Sequence, residues 1–331
     1  MKVLMVEHFL PGSVYTLELC RALRTEEQIT IFCRKGAPRP LEGVQWKDKL
    51  YAGGKGWAEA LMRYGGGLLA LAAEICTGHY DVLHVQGFKD ARYEIPLYCK
   101  LKRHCGILVH TVHNLLPHEA SPRDRRLYGD FYRVCDLLVV HNLYCRQLLM
   151  DEYHLPPEKI CVTPHGSYTQ ISPKEHQLHT EKTEFLQFGV LRRYKGVDIL
   201  LEALARMTET QRSRVHVTVA GQQFPKLDAT DYAALIREKG LEGRVTLQLG
   251  HVPDEALDAL YQEADFCLFP YREIYGSGAL LMAYSYSKPV LASSIPAFEE
   301  ETDGGCTGLL FPPEEPDALK DAILRLSLIH I

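Results

Sequence analysis

The sequence predicts an α/β protein built from doubly wound parallel sheets, and three observations carry that expectation. Strand-like and helix-like segments alternate about five times in the second half of the chain, the pattern of a parallel sheet with helices on both faces. Apolar strands of the same kind recur in the first half. The chain has 331 residues, more than one core usually serves, since domains cluster at about 100–150 residues.

In order along the chain, residues 1–6 begin a strand at the first residue, and residues 80–85, 107–114, 136–142 and 159–166 follow as later strands. Gly53, Gly54 and Gly56, and then Gly65, Gly66 and Gly67, read as loop glycines. Lys55 is not followed by the Ser or Thr of a P-loop, and three successive glycines are not G-x-G-x-x-G. Residues 166–181 include Ser172-Pro173-Lys174-Glu175 and lack apolar periodicity. The expected organisation is a first domain over 1–167, a linker over 168–181 and a second domain over 182–331. In the second domain, 185–191, 215–221, 245–250 and 288–293 read as strands. His251-Val252-Pro253-Asp254 opens a helix with a proline and an acid in its first turn. A turn at Gly276-Ser277-Gly278 precedes an apolar helix. Residues 316–325 read as an amphipathic helix with Leu319, Ile323 and Leu324 on one side, and residues 326–331 as an apolar tail beyond it.

Composition narrows the class. Residues 1–165 hold 21 Lys+Arg against 18 Asp+Glu, while the remainder holds 16 against 24, so the first half is the basic one. Lys100, Lys102, Arg103, Arg123, Arg125, Arg126 and Arg133 could face an anionic membrane or a lipid-diphosphate acceptor, or be an ordinary solvated surface. A surplus this small does not suggest nucleic acid. The ten cysteines sit in or beside apolar segments without a C-x-x-C pair, which fits reduced core thiols better than disulfides or zinc. The longest apolar stretch, 65–76, is shorter than the roughly 18 residues that a membrane span needs. A cytoplasmic protein is expected.

The most informative stretch is Phe188-Gly189-Val190-Leu191-Arg192-Arg193-Tyr194-Lys195-Gly196-Val197-Asp198. It puts Arg192 and Lys195 where an apolar strand gives way to a helix, in the crevice where open α/β sheets bind ligands. The helix N-terminus adds positive potential, so an anionic ligand is expected.

This stretch, with Val219-Ala220-Gly221, His251-Val252-Pro253, Ala264-Asp265, Pro289-Val290-Leu291-Ala292-Ser293 and Gly308-Leu309-Leu310-Phe311-Pro312-Pro313, resembles the donor domain of the GT-B glycosyltransferases, and within them glycosyltransferase family 4. The resemblance spans nearly the whole chain and is weakest over 42–79. It implies two Rossmann-like domains facing a central cleft, and a retaining transfer, without a metal cofactor, from a nucleoside-diphosphate sugar to a glycan or lipid-linked acceptor. Synthesis of a bacterial surface polysaccharide is the family-level expectation. No D-x-D sequence occurs, so protein donors would neutralise the leaving diphosphate.

By the same resemblance, Arg192, Lys195, Gly276, Gly278, His251 and Val252 would bind the donor. His113, in Thr111-Val112-His113-Asn114, would face the transferred sugar, and Gly12, His118 and Glu119 would line the acceptor side. Many family members carry two glutamates eight positions apart, at places corresponding to Ile274 and Met282, and neither residue is acidic here. Pro270-Tyr271-Arg272-Glu273-Ile274 followed by Ser277-Gly278 resembles a branch with Ser-Gly at this turn, in which Glu273 and Ser277 would share the lost role. The backbone N–H groups of residues 275–278 would form an anion nest. A nucleotide-sugar 2-epimerase of the same fold, or a nucleotide-sugar-binding protein without activity, remains an alternative. The tail at 326–331 resembles a translated sequencing adapter, so the chain is expected to stop short of the family's last C-terminal helix.

Overall fold

The computed structural model of the chain describes residues 1–331 except 11, 12, 52, 118, 119, 167, 169, 170, 176, 180, 330 and 331. It divides into two compact units, Met1–Gly166 and Ser167–Ile331. Residues 168–181 therefore group with the second unit.

The first unit runs β1 (Lys2–Glu7), α1 (Val14–Leu23), β2 (Gln28–Arg34), β3 (Gln45–Leu50), α2 (Trp57–Gly78), β4 (Val82–Val85), α3 (Ala91–Leu101), β5 (Ile107–Thr111), α4 (Pro122–Val134), β6 (Leu137–Val140), α5 (Leu143–Tyr153) and β7 (Ile160–Val162). Its sheet has the order β3-β2-β1-β4-β5-β6-β7, and every pairing is parallel. The second runs β8 (Thr183–Phe188), α6 (Val197–Ala205), α7 (Glu209–Arg212), β9 (Val215–Gly221), α8 (Tyr232–Glu238), β10 (Val245–Leu249), α9 (Asp254–Glu263), β11 (Phe266–Phe269), α10 (Gly278–Ser285), β12 (Val290–Ser293), α11 (Pro296–Glu301), β13 (Gly308–Phe311) and α12 (Pro316–Ile329). Its six strands, also parallel, have the order β10-β9-β8-β11-β12-β13.

The central strands are largely apolar because helices cover both of their faces: β4, β11 and β12 are buried at every position. In each unit the strand order reverses once, between β1 and β4 and between β8 and β11. At such a switch point the helices following the two strands leave on opposite faces, which opens a crevice at the carboxyl ends.

Two expectations are corrected. Gly65, Gly66 and Gly67 lie inside α2, not in a loop. A Cβ on Gly67 would come within 3.1 Å of the Lys49 carbonyl oxygen, so this helix approaches β3 closely where side chains are smallest. The tail is helical too: α12 continues to Ile329, and Leu319, Ile323 and Leu326 are buried in the core formed by α6, β9 and β13. Leu326 thus packs into the core as part of the helix, where a tail beyond the helix was expected.

Candidate active site

The switch point of the second unit is charged. Gly189, which follows β8, has φ +127°, a conformation that L side chains rarely adopt. Its missing side chain leaves room for Lys195, whose Nζ a Cβ at 189 would strike. Gly221, at the end of β9, has φ +146° and packs so closely that a Cβ there would collide with the Gly189 carbonyl. Gly196, φ +66°, caps α6 against the Pro270 carbonyl, which likewise excludes a side chain. Lys195 Nζ sits 5.2 Å from the centroid of the Tyr271 ring, within cation–π range. Burial, and then the nearby Arg192 guanidinium, lowers its pKa from 10.5 to about 8. Arg192 is extended and half-buried. The fold therefore holds two cations close together at a sheet edge where both are partly desolvated, an arrangement that an anion relieves.

A residue that the sequence reading missed fixes this turn. Arg272 clamps the loop: its fork bonds Asp198 at 2.9 and 2.7 Å, its Nη1 donates to the Arg193 carbonyl at 2.6 Å, and its amide donates to the Tyr194 carbonyl at 2.7 Å. Nε reaches Glu314 at 3.0 Å. The pairing with Asp198 crosses 74 positions, so no local pattern announces it.

The Ser277 turn is differently built than expected. Ser277 is buried and caps α10, its side chain accepting from the Leu280 amide at 3.2 Å. Its own amide donates to Glu301 Oε1 at 3.1 Å. One N–H group of the expected anion nest is therefore already taken by a carboxylate. Glu301 Oε2 is buried without a hydrogen-bond partner, and burial raises the Glu301 pKa from 4.5 to about 7, against the lowering effect of the Ser277 amide. Glu273 is exposed, whereas Ile274 and Met282 pack against the core around Tyr261 and Phe298. The acidic group that touches this turn thus comes from α11. Gly276 is half-buried, and Gly278 opens α10 beneath Tyr168, whose hydroxyl stands 2.9 Å from the place of a Cβ there. His251 and Val252 follow β10, where the Gly250 amide bonds the Gly221 carbonyl at 3.0 Å, so they lie at the same edge of the sheet as Gly189.

In the first unit three histidines stand at the carboxyl ends of neighbouring strands. His113 follows β5, His141 follows β6 and His165 follows β7, and the Tyr15 ring of α1 meets all three at centroid distances of 5.0, 4.8 and 4.9 Å. Burial lowers the pKa of His113 to about 3 and of His141 to about 4. The sequence placed His113 at a strand end, but only the order β5-β6-β7 brings three strand-end histidines side by side. Gly12, His118 and Glu119 lie outside the described residues. Of the basic surface residues, Lys102 pairs with Asp136, Arg125 with Glu152 and Arg133 with Asp130, which neutralises part of that surface. Among the described residues no group of three His, Cys, Asp or Glu side chains is arranged to hold a metal ion, and no helix is long and apolar enough to cross a membrane.

Comparison with known proteins decides the class. The profile described as "Glycosyltransferase Family 4" matches residues 12–170, and that described as "Glycosyl transferases group 1" matches residues 182–328. The chain belongs to glycosyltransferase family 4. It is 27% identical to D-inositol 3-phosphate glycosyltransferase of Corynebacterium aurimucosum over 95% of this chain and 82% of that protein. To GDP-mannose:glycolipid 4-beta-D-mannosyltransferase of Xanthomonas campestris it is 27% identical over 66% of this chain and 63% of that protein. Among solved structures, sucrose-phosphate synthase from Thermosynechococcus elongatus superposes with a TM-score of 0.81 at 18% identity over 100% of this chain and 90% of that one. HepE from Anabaena, in complex with UDP and glucose, superposes at 0.75 with 16% identity over 98% and 89%. The two parallel-sheet domains are those of the GT-B class, and this family 4 chain is a glycosyltransferase.

Proposed function

We propose that the protein transfers a sugar from a nucleoside-diphosphate sugar to a glycan or lipid-linked acceptor, with retention of anomeric configuration and without a metal cofactor, in the synthesis of a bacterial surface polysaccharide. The observation that carries the reading is the Arg192–Lys195 pair, two crowded and partly desolvated cations at a sheet switch point. Cleavage of the anomeric bond develops negative charge on the departing diphosphate, and donors already in place stabilise it without reorganising. Arg192 offers a planar fork and Lys195 a point charge. His113 would act on the transferred sugar, Ser277 and Glu273 would share the role of the replaced glutamates, and basic residues of the first unit would face a membrane-borne acceptor. Relatives that act on inositol 3-phosphate and on a glycolipid support acceptors of polyol or lipid-linked type.

The test is incubation with a panel of nucleoside-diphosphate sugars and acceptors in EDTA, with the product's anomeric configuration read by NMR. A retained glycoside formed at undiminished rate is expected. An inverted product or a rate restored only by divalent cation would refute the corresponding part. The packing of Ile274 and Met282, where many relatives carry glutamates, favours a second reading, that the chain binds nucleotide sugars without turning them over. Saturable donor binding with neither transfer nor slow donor hydrolysis would establish it.

A further inference from the structure

Two histidines of the first unit, His141 and His113, form a directed chain. His141 Nδ1 lies 3.1 Å from the Thr163 backbone carbonyl oxygen, and a carbonyl can only accept, so Nδ1 carries a proton. With its pKa near 4, His141 is neutral at physiological pH and has one ring proton, which leaves Nε2 as a lone pair. That Nε2 lies 3.4 Å from His113 Nδ1. Two lone pairs repel there, so His113 Nδ1 is the donor. His113 is neutral as well, and its remaining nitrogen, Nε2, is an acceptor. The far end of the chain is the Gln86 side chain, whose Oε1 stands 3.3 Å from His113 Nε2 while its NH2 donates to Met5 Sδ at 3.0 Å. Turning the Gln86 amide over presents its NH2 group to His113 Nε2 and gives up only the weak bond to the Met5 sulfur, whereas the Thr163 carbonyl is fixed in the backbone.

We infer that His141 is a positioning residue: held by the Thr163 carbonyl, it sets His113 in the Nδ1–H tautomer and so makes His113 Nε2 a hydrogen-bond acceptor. A hydroxyl of a substrate sugar would donate to that nitrogen in place of Gln86. Tyr15, packed on the rings of both residues and of His165, restricts their rotation. His165 Nδ1 meets the Gly166 carbonyl at 2.9 Å and is oriented in the same way. The consequence for catalysis rests on the reading that His113 faces the transferred sugar, whereas the tautomer does not.

The experiment is long-range proton–nitrogen correlation NMR of the full 15N-labelled chain near neutral pH, with ring signals assigned through His113→Gln and His141→Gln. Both rings are expected to show the neutral, Nδ1-protonated pattern, and an Nε2-protonated His113 would overturn the inference. In His141→Phe, His113 is expected to relax to a mixture of tautomers, and an unchanged pattern would show that His141 does not set it. Should that variant fail to fold, His141→Gln provides the second measurement, because its amide oxygen accepts from His113 Nδ1. The pattern is then retained, and its loss would count against the inference. With activity as readout, His141→Phe lowers kcat by about tenfold with donor KM little changed, the effect of a misplaced tautomer. The expected NMR pattern with an unmoved kcat would leave the tautomer standing and remove His113 from the sugar.

Discussion

Lys195 gives the sharpest test of the donor site. An ammonium that loses its proton at about 8 rather than 10.5 is destabilised by about 3 kcal/mol, at about 1.4 kcal/mol per tenfold change. The folded pKa is depressed, so this group's contribution to stability is present above its unfolded value and is lost as pH falls through about 8. At neutral pH the empty site therefore carries a charge that the fold disfavours, and a bound diphosphate relieves it. If binding returns the lysine to its ordinary pKa, the dissociation constant of a nucleoside diphosphate should rise about 30-fold between about pH 7 and about pH 9.5. Isothermal titration of wild type and Lys195→Met across that range isolates the effect, because ionisation of the ligand is common to both proteins. A flat wild-type profile, or an equal slope in the variant, would show that Lys195 does not hold the diphosphate.

Arg272→Lys keeps the charge but loses the fork on Asp198, and should weaken donor binding by about tenfold with less effect on thermal stability. Unchanged affinity in a titration would mean that the Arg192–Lys195 turn needs no clamp. The Glu301 carboxyl is raised to about 7, so its contribution is fully present below its unfolded pKa of 4.5 and is lost as pH rises through about 7. Glu301→Gln, whose amide oxygen still accepts from Ser277, should accordingly raise Tm at alkaline pH and change it little in acid. Ser277→Ala removes the α10 cap at a cost of about 1 kcal/mol and should also slow turnover, and a variant that loses stability alone would assign Ser277 to the helix. His84 and His113, lowered to about 3, and His110 and His141, lowered to about 4, stabilise the first unit above about 6.5 and lose that contribution as pH falls toward their folded values. Hydrogen exchange should show residues 80–165 loosening before the second unit as the solution is acidified, and simultaneous loosening would refute this.

Much of the site's framework is readable in the sequence because it is local. Arg192 and Lys195 are recognisable where β8 turns into α6, since strand, turn and helix occupy successive residues and the chemistry lies within one stretch. The alternation of buried runs with amphipathic segments similarly yields the parallel sheets, because a strand covered on both faces is mostly apolar and stands out from its surroundings. Where the local rule misled, packing was part of the reason: Gly65, Gly66 and Gly67 look like a loop, yet they lie within α2, where Gly67 lets the helix approach β3.

What tertiary structure alone decided is which distant residues meet. Glu301 reaches the Ser277 amide across 24 positions, and neither the Glu299-Glu300-Glu301 run nor the turn indicates that one carboxylate of the three is buried there. His113, His141 and His165 are separate strand endings until the sheet order sets their strands side by side. The order arises from crossovers and from helices burying their apolar faces, a sum of many weak contacts spread over the domain. Local sequence therefore specifies that these particular strands end in histidine, and the packed sheet specifies that the three ends become neighbours.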